Sequence, residues 1–327
     1  MTFYSFGDVG FTRKPALQDY LAIMRLDHAT KHVFIVPGIV LAYLLRRNYV
    51  TPTVWSFFAG AAVAVCIASA NYVINEYLDR EFDALHPTKS LRTAVQVELS
   101  GVAVWALWLA LTSTGLLLAW SASLTMLAVA IGFGAQGIIY NVKPLRTKDT
   151  AYLDVLSESV NNPFRLMIGW AMVDPSSLPP ASILLGYWLG GAFLMGAKRL
   201  SEYREIVARY GRDLLVRYRA SFAGYDEYNL TASCLAYAVL CGMSLAIFMV
   251  KYRIEYIITL VPIALLFAKY MALAMRPAST AQKPEKLFHE QGLMTLVLIV
   301  TGAFVFATFV DMPFLQALTA QHFISLQ

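Results

Sequence analysis

The stretch AAVAVCIASANYVINEYLDREFD, residues 61–83, joins a long apolar run directly to a row of polar side chains. Asn71, Asn75, Asp79 and Asp83 recur along it every four residues. Residues four apart lie on the same face of an α-helix. The stretch therefore predicts a membrane-spanning helix whose last turns carry two amides and two carboxylates on one face.

Apolar runs fill most of the chain. Of its 327 residues 58% are hydrophobic and 14% are charged, and the mean hydropathy is +0.57. Soluble domains carry about a quarter charged residues, so a water-soluble protein is excluded. The composition predicts an all-α polytopic membrane protein, a bundle of about nine transmembrane helices with cap loops on one face. The candidate spans are 33–45, 53–75, 102–119, 121–140, 152–173, 181–197, 232–250, 256–275 and 292–311.

The cations are distributed unevenly between the two ends of these spans. Of 26 Lys and Arg residues, 21 fall in residues 1–32 and in alternate connections, namely 79–100, 141–150, 198–230 and 269–290. Positive residues concentrate on the cytoplasmic side of membrane proteins, so we expect these segments to be cytoplasmic. This bias explains the net charge of +5 without nucleic-acid binding.

The polar row at the end of the second span is the strongest chemical signal. Oxygen ligands of this kind suit magnesium, which takes one or two carboxylates and borrows further ligands from phosphates. A solvated helix end would also carry charges, but strict spacing beside an apolar span favours a functional site. Asn75, Asp79 and Asp83 are therefore the candidate metal ligands and catalytic residues, and a diphosphate is the candidate substrate group.

Two connections near this row carry cations that suit phosphate oxygens. The segment HPTKSLRTA, residues 86–94, contains Lys89 and Arg92, which can neutralise oxygens that a metal does not reach. The segment YNVKPLRTKD, residues 140–149, places Tyr140 and Lys143 at the end of the fourth span. All four are candidate substrate-binding residues.

A second polar row lies in the fifth span. Asp154, Glu158, Asn162 and Arg165 share one helix face, and Arg165 falls inside the apolar region. Charges of both signs on one face of a span must point into the bundle. They predict either the deeper wall of a substrate cavity or a structural ion-pair network between helices.

The sixth span ends in GAKRLSEYREI, residues 196–206. Lys198, Arg199 and Glu202 lie here within one helical turn of one another. Acidic and polar residues among the bases exceed what charge bias alone requires, so they are candidates for binding a phosphate or a sugar.

These motifs together resemble the UbiA superfamily of intramembrane prenyltransferases. NEYLDREFD is similar to the first family motif, Asn-x-x-x-Asp-x-x-x-Asp, and HPTKSLR to the segment that follows it. The order of nine spans, with catalytic loops on the cytoplasmic face, extends the resemblance over nearly the whole chain. The resemblance implies a magnesium-dependent transferase that releases diphosphate.

Within this superfamily the chain looks most like the decaprenyl-phosphate 5-phosphoribosyltransferase branch. Aromatic prenyltransferases carry a second Asp-rich motif after the sixth span, where this chain has Lys198, Arg199 and Glu202. Lys31, in MRLDHATKHVFIVPGI, stands in the place of a phosphate-facing lysine of that branch. The segment NNPFR in the fifth span has no counterpart in the branch pattern, which leaves the sugar and the lipid open.

The resemblance implies transfer of a 5-phosphoribosyl group from 5-phosphoribosyl diphosphate to a polyprenyl phosphate at the inner membrane, with the active site facing the cytoplasm. The expected organisation is an N-terminal interfacial segment at 1–32, a catalytic transmembrane domain at 33–311 and a tail at 312–327. The expected partners are both substrates and the lipid bilayer. The oligomeric state is not predicted.

Two other functions stay open. A prenyl diphosphate-dependent prenyltransferase acting on an aromatic or other small acceptor would use the same metal motif, because it also expels diphosphate. A secondary transporter is the second alternative, although transporters tend to show inverted repeats and the chain shows no internal repeat.

Overall fold

The computed structural model describes residues 13–45, 52–277, 279–280, 287 and 289–318. Within them the chain is helical and forms no strand, apart from one bridge between Arg13 and Val97. The α-helices are α1 (Leu17–Ile23), α2 (Val36–Leu45), α3 (Val54–Asp83), α4 (Thr93–Gln96), α5 (Gly101–Ala122), α6 (Leu124–Asn141), α7 (Leu153–Ser159), α8 (Asn161–Val173), α9 (Ala181–Tyr210), α10 (Arg212–Tyr218), α11 (Glu227–Tyr252), α12 (Leu260–Ala274), α13 (Gln291–Phe309) and α14 (Pro313–Leu318). Short 3-10 helices cover Leu26–Ile35, Lys89–Leu91, Thr147–Asp149, Ala220–Gly224 and Ile254–Thr259.

Six of the described helical segments are long and apolar enough to cross a membrane. They are Val54–Asp83, Gly101–Ala122, Leu124–Asn141, Glu227–Tyr252, Ile254–Ala274 and Gln291–Phe309, and Lys31–Leu45 is a shorter apolar helix. The polytopic all-α class is therefore confirmed, whereas the count of nine spans is not. Residues 1–12 of the predicted N-terminal segment and 319–327 of the predicted tail lie outside the described residues.

The fifth predicted span, 152–173, is two helices rather than one. Helix α7 ends at Ser159 and α8 begins at Asn161. Pro163 has no backbone N–H, so the carbonyl of Ser159 cannot receive the helical bond that would carry α7 into α8. The break lies in the middle of the second polar row.

The chain divides into two compact units, and the first comprises Met1–Pro179 and Tyr210–Tyr225. Helix α3 is its centre and packs against α5, α6 and α8. The side chain of Thr53 caps α3 by accepting a hydrogen bond from Ser56 N. The core of this unit consists of fully buried apolar side chains, among them Val63, Ile67, Met126, Phe133, Leu166 and Ile168.

Helices α2 and α8 cross with their backbones in contact at two glycines. A Cβ added to Gly38 would lie 2.1 Å from Leu166 O, and one added to Gly169 would lie 2.1 Å from Ile35 O. No other residue leaves enough room for this approach, which is how small residues serve helix packing in membranes. The crossing ties the segment that carries Lys31 to the helix that carries Arg165.

The second unit comprises Pro180–Arg209 and Asp226–Gln327. Asp226 caps α11 and forms a capping box with Asn229. Cys241 of α11 donates a hydrogen bond to Gly186 O of α9 at 3.2 Å. Phe193 of α9 meets Phe267 of α12 edge to face, with ring centroids 4.7 Å apart.

Candidate functional site

The polar row of α3 is fixed against the end of α6. Asn75 Nδ2 donates to Asn141 Oδ1 at 2.6 Å and to Asp79 Oδ2 at 3.2 Å. Because these bonds use both amide hydrogens of Asn75, its Oδ1 is the atom that can act as a ligand. Asn141 Nδ2 donates to Gly137 O at 2.9 Å, which fixes the partner amide in turn. The structure thus brings the predicted ligands Asn75 and Asp79 into contact.

Asp79 lies between two buried cations. Its Oδ1 is 2.9 Å from Arg146 Nη2 and 2.5 Å from Lys148 Nζ. Lys148 Nζ also donates to Asn141 Oδ1 at 2.9 Å. Burial lowers the pKa of Lys148 to about 8, although the neighbouring Asp79 raises it. Lys148 is thus held as an ammonium donor whose charge is poorly solvated.

Arg146 and Lys148 are functional candidates that the sequence analysis missed. Lys143, the predicted cation of this connection, is exposed. The 3-10 helix at Thr147–Asp149 and the positive φ of 25° at Arg146 turn the later cations towards α3. The signal was present, since YNVKPLRTKD carries three cations, but the sequence does not show which of them turns inward.

Asp83 lies between the two cations predicted for it. Its Oδ2 is 2.5 Å from Arg92 Nη1, and its Oδ1 is 3.9 Å from Lys89 Nζ. The Asp83 carboxylate is buried, whereas these two partners keep about a quarter of their side chains exposed. Lys89 also lies 5.6 Å from the centre of the Tyr218 ring. The segment 86–94 therefore folds back over the last turn of α3.

The donor set determines which metal could bind here. Within the described residues no group of three or more His, Cys, Asp and Glu side chains could hold a metal ion by itself. Asp79, Asp83 and the Asn75 Oδ1 instead offer hard oxygen ligands along one helix face. Magnesium keeps open positions that phosphate oxygens fill, so this set fits magnesium bound together with a diphosphate. The adjacent cations fit the remaining phosphate charge.

A second cluster encloses Asp154. Its carboxylate accepts hydrogen bonds from Tyr225 Oη at 2.7 Å, Ser221 Oγ at 3.1 Å and Arg219 Nη2 at 3.4 Å. The carboxylate is completely buried. Arg219, absent from the predicted residues, also donates to Tyr140 Oη at 3.0 Å. Protein donors thus surround Asp154, as the ion-pair network alternative expects.

Glu158, Tyr140 and Asn162 lie at the edge of this cluster. Tyr140 Oη donates to Glu158 Oε2 at 2.9 Å, so two residues predicted from different helices do meet. Asn162 is half-buried near the start of α8. Asp154 and Glu158, the first two residues of the second polar row, therefore form hydrogen bonds that join α7 to α6 and to the segment at 219–225.

Arg165 lies further along the row, inside the first unit. Its side chain is 5% exposed, and its Nη1 donates to Asn161 O at 3.3 Å. The guanidinium lies 5.3 Å from the centre of the Phe133 ring. Lys31, on the segment before α2, lies 5.2 Å from the centre of the Tyr72 ring.

The remaining predicted residues belong to the second unit. Arg199 Nη1 and Glu202 Oε2 of α9 form an ion pair at 3.3 Å, and both side chains are buried. Lys198 is half-buried on the same helix. At this place α9 carries a buried ion pair between a guanidinium and a carboxylate.

Comparison with known proteins identifies relatives of the whole fold. The sequence model of the UbiA prenyltransferase family matches residues 34–296. The protoheme IX farnesyltransferase of Alkalihalophilus pseudofirmus is 25% identical over 201 residues, which cover 60% of this chain and 64% of that relative. The match therefore spans less than two thirds of the relative's length.

Solved structures share the architecture. A UbiA homolog from Archaeoglobus fulgidus bound to DMAPP and Mg2+ superposes with a TM-score of 0.66 at 17% identity, covering 89% of this chain and 100% of that one. The same homolog bound to GPP and Mg2+ gives a TM-score of 0.65 at 16% identity, with the same coverage. At this level of identity the likeness shows a shared fold.

Proposed function

Because the chain belongs to the UbiA prenyltransferase family, we propose that it is a magnesium-dependent intramembrane transferase whose leaving group is diphosphate. Its donor is 5-phosphoribosyl diphosphate, and its acceptor is a polyprenyl phosphate similar to decaprenyl phosphate. One observation carries the proposal: Asp79 and Asp83, seen on one face of α3, each lie between two cations. Such an arrangement suits a group that brings both phosphate charge and metal-binding oxygens.

The residues of the first unit act on the departing group. The bond between the sugar C1 and the diphosphate oxygen breaks, and its electron pair leaves with the diphosphate. Arg146 and Lys148 on one side, and Lys89 and Arg92 on the other, hold phosphate oxygens and stabilise the charge that develops there. Because these donors are fixed before the reaction, they need little reorganisation in the transition state.

A bound magnesium ion, for which Asn75, Asp79 and Asp83 are the proposed ligands, would supply Lewis-acid stabilisation of the diphosphate. Relatives of the same fold bind Mg2+ together with DMAPP or GPP, which supports this assignment. The acceptor phosphate is already an anion, so its oxygen can attack C1 without a strong general base. The protein's part is then to position the two substrates in the correct geometry.

The choice of a phosphoribosyl donor rests on α9. Aromatic prenyltransferases of the superfamily carry a second Asp-rich motif after the sixth span. At the corresponding place this chain has the buried pair of Arg199 and Glu202. Residues 196–206 contain no aspartate, so the chain lacks the second Asp-rich motif at this place. We therefore favour a donor that needs one acidic motif.

The second candidate is a prenyl diphosphate donor with an aromatic or other small acceptor. Two observations favour it: the curated relative is a protoheme IX farnesyltransferase, and the homolog of the same fold binds DMAPP and GPP. The geometry around Asp79 and Asp83 serves either donor, since both lose diphosphate.

The test separates these donors directly. Purified protein with magnesium receives labelled 5-phosphoribosyl diphosphate and a polyprenyl phosphate in one reaction, and labelled farnesyl diphosphate with an aromatic acid or protoheme IX in the other. We expect label in the lipid product of the first reaction only. Product in the second reaction alone would replace our proposal with the second candidate.

We further propose that the site faces the cytoplasm of the inner membrane. The cation-rich connections at 79–100 and 141–150 supply the four cations next to Asp79 and Asp83, and positive connections remain cytoplasmic. A soluble, charged sugar diphosphate would then reach the site without crossing the membrane.

A further inference from the structure

Cations from two parts of the first unit, residues 25–31 and α8, lie near the ring of Tyr72. Lys31 Nζ lies 5.2 Å from the ring centre, and the guanidinium of Arg25 lies 5.9 Å from it. Arg165 of α8 comes within hydrogen-bonding reach of the Tyr72 side chain. Segments distant in sequence thus bring three positive charges to one side chain on α3.

Several polar atoms around this ring lack partners. Within the described residues, Arg165 Nε and His32 Nδ1 are both shielded from solvent and have no hydrogen-bond partner. Arg165 is nine-tenths buried or more, since only 5% of it is exposed. A buried donor without a partner costs free energy, and a buried cation costs more. Arg165 Nε therefore lacks an acceptor, which an anionic ligand would supply.

Carboxylates also lie near these cations, and the buried Oε2 of Glu76 accepts no hydrogen bond within the described residues. Glu76 Oε2 lies 3.8 Å from Arg25 Nε, and Glu158 accepts the hydroxyl hydrogen of Tyr140 at 2.9 Å. The charge of Glu158 reaches Arg165, and the charge of Asp27 reaches Glu76. None of these carboxylates accepts a hydrogen bond from Arg165 Nε, which is the donor that a phosphate monoester would meet.

The cluster is separate from the diphosphate cations but in line with them. Tyr72 precedes Asp79 by seven residues on α3, so it lies on the same helix face about 10 Å further into the span. The cations that hold Asp79 and Asp83 belong to other segments, at 89–92 and 146–148. One face of α3 can therefore bind a diphosphate near Asp79 and a second phosphate near Tyr72, with the sugar between them.

We infer that Arg25, Lys31 and Arg165 bind the phosphate of the acceptor lipid, with Tyr72 as the platform that fixes their positions. This assignment rests on the proposed function, since it names the binding site of its acceptor. The shared chemistry is a phosphate monoester, which the 5-phosphate of the sugar also offers. A position deep along a membrane-spanning helix favours the lipid.

Binding without turnover tests the inference. Purified protein, with neither sugar donor nor magnesium, is titrated calorimetrically with farnesyl phosphate, farnesol and ribose 5-phosphate. We expect wild-type protein to bind farnesyl phosphate and to bind farnesol at least tenfold more weakly, because a charged hydrogen bond contributes about 1.5–3 kcal/mol. Ribose 5-phosphate should bind far more weakly than farnesyl phosphate.

Variants locate the phosphate. Arg165→Gln and Lys31→Gln should each weaken farnesyl phosphate binding about tenfold, whereas Arg165→Lys should retain part of it. Lys14→Gln removes an exposed cation of the same unit and should leave the affinity unchanged. Because Arg165 is buried, its variant requires a thermal-unfolding control. Lys31, which is half-buried at the edge of the cluster, gives a variant that does not disturb the core.

The outcomes separate the site from the reaction. Wild-type affinity in folded Arg165→Gln and Lys31→Gln proteins would overturn the site, even if 5-phosphoribosyl transfer occurs. Preferential binding of ribose 5-phosphate would overturn the lipid assignment. Farnesyl phosphate binding that depends on Arg165, in a protein without 5-phosphoribosyl transfer, would support the site and refute the proposed donor.

Discussion

Asp79 and Asp83 have similar partners but different surroundings. The cations of Asp79, Arg146 and Lys148, have side chains that are 7% and 5% exposed, whereas those of Asp83 are about a quarter exposed. Removing the charge of Asp79 would take a carboxylate from two buried cations. Arg146 keeps its ion pair with Asp149, whereas Lys148 would lose a carboxylate at 2.5 Å, which is destabilising. Asp83 can lose its charge at a smaller cost, because water reaches its partners.

Asp83→Asn is therefore the cleaner test of the metal hypothesis. We expect turnover to fall at least about 100-fold, because a proposed ligand of the charge-stabilising ion is lost. Thermal unfolding should change little. The measurement is product formation in the donor assay, with melting followed in parallel.

Glu81→Gln provides the matched control. Its carboxylate is 79% exposed, two residues before Asp83 on the same helix. Turnover should stay at the wild-type level. Full activity of Asp83→Asn would remove Asp83 from the metal site, and equal losses in both variants would point to general electrostatics of the helix end.

Spacing alone predicts the row on α3, because four-residue periodicity needs only a helix. It also predicts that Lys89 and Arg92 follow closely enough to fold back. It does not predict that Arg146 and Lys148, rather than Lys143, meet Asp79. The contacts depend on the backbone turn at Thr147–Asp149, which directs Arg146 and Lys148 towards Asp79. The sequence of the connection does not distinguish its three cations.

At the level of elements, Asp154 fastens the segment after α10 to α7. Arg219, Ser221 and Tyr225 come from 219–225 and donate to the single carboxylate of Asp154. Tyr225 Oη also accepts from Tyr152 N at 2.6 Å. The segment between α10 and α11 is thereby held to α7 at one buried carboxylate.

Asp154→Asn should loosen this segment. The amide keeps the size of the carboxylate but removes its charge, so bonds worth about 1–3 kcal/mol are weakened. We expect trypsin to cleave after Arg217 or Arg219 several-fold faster than in the wild type. Tyr225→Phe, which removes one bond, should give a smaller increase, and unchanged cleavage of both variants would contradict this role.

The glycine crossing of α2 and α8 leaves no space for a side chain. Gly169→Ala would place a methyl group against the backbone carbonyl of Ile35 and force the helices apart, at a cost of about 1–3 kcal/mol. We expect a lower melting temperature and reduced yield.

Gly242→Ala is the control for this crossing, because a Cβ at Gly242 meets nothing within 4 Å. Alanine is also the better helix former, so this variant should be at least as stable as the wild type. Equal melting temperatures of the Gly169 and Gly242 variants would show that the crossing tolerates a wider separation.

Hydropathy predicts most of the elements but not their interruptions. The runs at 53–75, 102–119 and 121–140 correspond to α3, α5 and α6, since apolar length alone requires a helix in the membrane. The break between α7 and α8 coincides with a proline inside an otherwise periodic pattern. A proline in a helical pattern can either kink the helix or end it, and the sequence does not distinguish the two outcomes. Packing against neighbouring helices determines which one occurs.

For the molecule as a whole, the distribution of cations predicts an orientation. The connection at 141–150 carries three cations, whereas DPSSLPP at 174–180 carries none. Residues 141–150 and 174–179 belong to the first unit, and the two connections lie at opposite ends of the predicted fifth span. They therefore report on the two sides of the membrane.

Cysteine labelling with a membrane-impermeant maleimide tests this orientation. Leu145 and Leu178 are 61% and 62% exposed, so Leu145→Cys and Leu178→Cys form a matched pair. We expect Leu178→Cys to react in intact spheroplasts and Leu145→Cys only in inverted vesicles. The reverse pattern would place the site on the outer side. Native protein should react slowly, since Cys234 and Cys241 are buried and Cys66 is half-buried.

The class of the protein follows from composition because a chain this apolar has one stable environment. Family membership follows from the motif on α3 and is shown by the match over residues 34–296. The donor and acceptor do not follow, because diphosphate chemistry is common to both candidate reactions.

The length of α3 has a consequence for where the reaction takes place. Its 30 residues extend about 45 Å, whereas the hydrocarbon layer of a bilayer is about 30 Å thick. Without tilt, two or three turns extend beyond the hydrocarbon, and the row from Asn75 to Asp83 lies at the polar end of the helix. Lipid phosphates lie in the headgroup layer by default. A donor from solution would thus meet an acceptor lipid at the boundary between water and hydrocarbon.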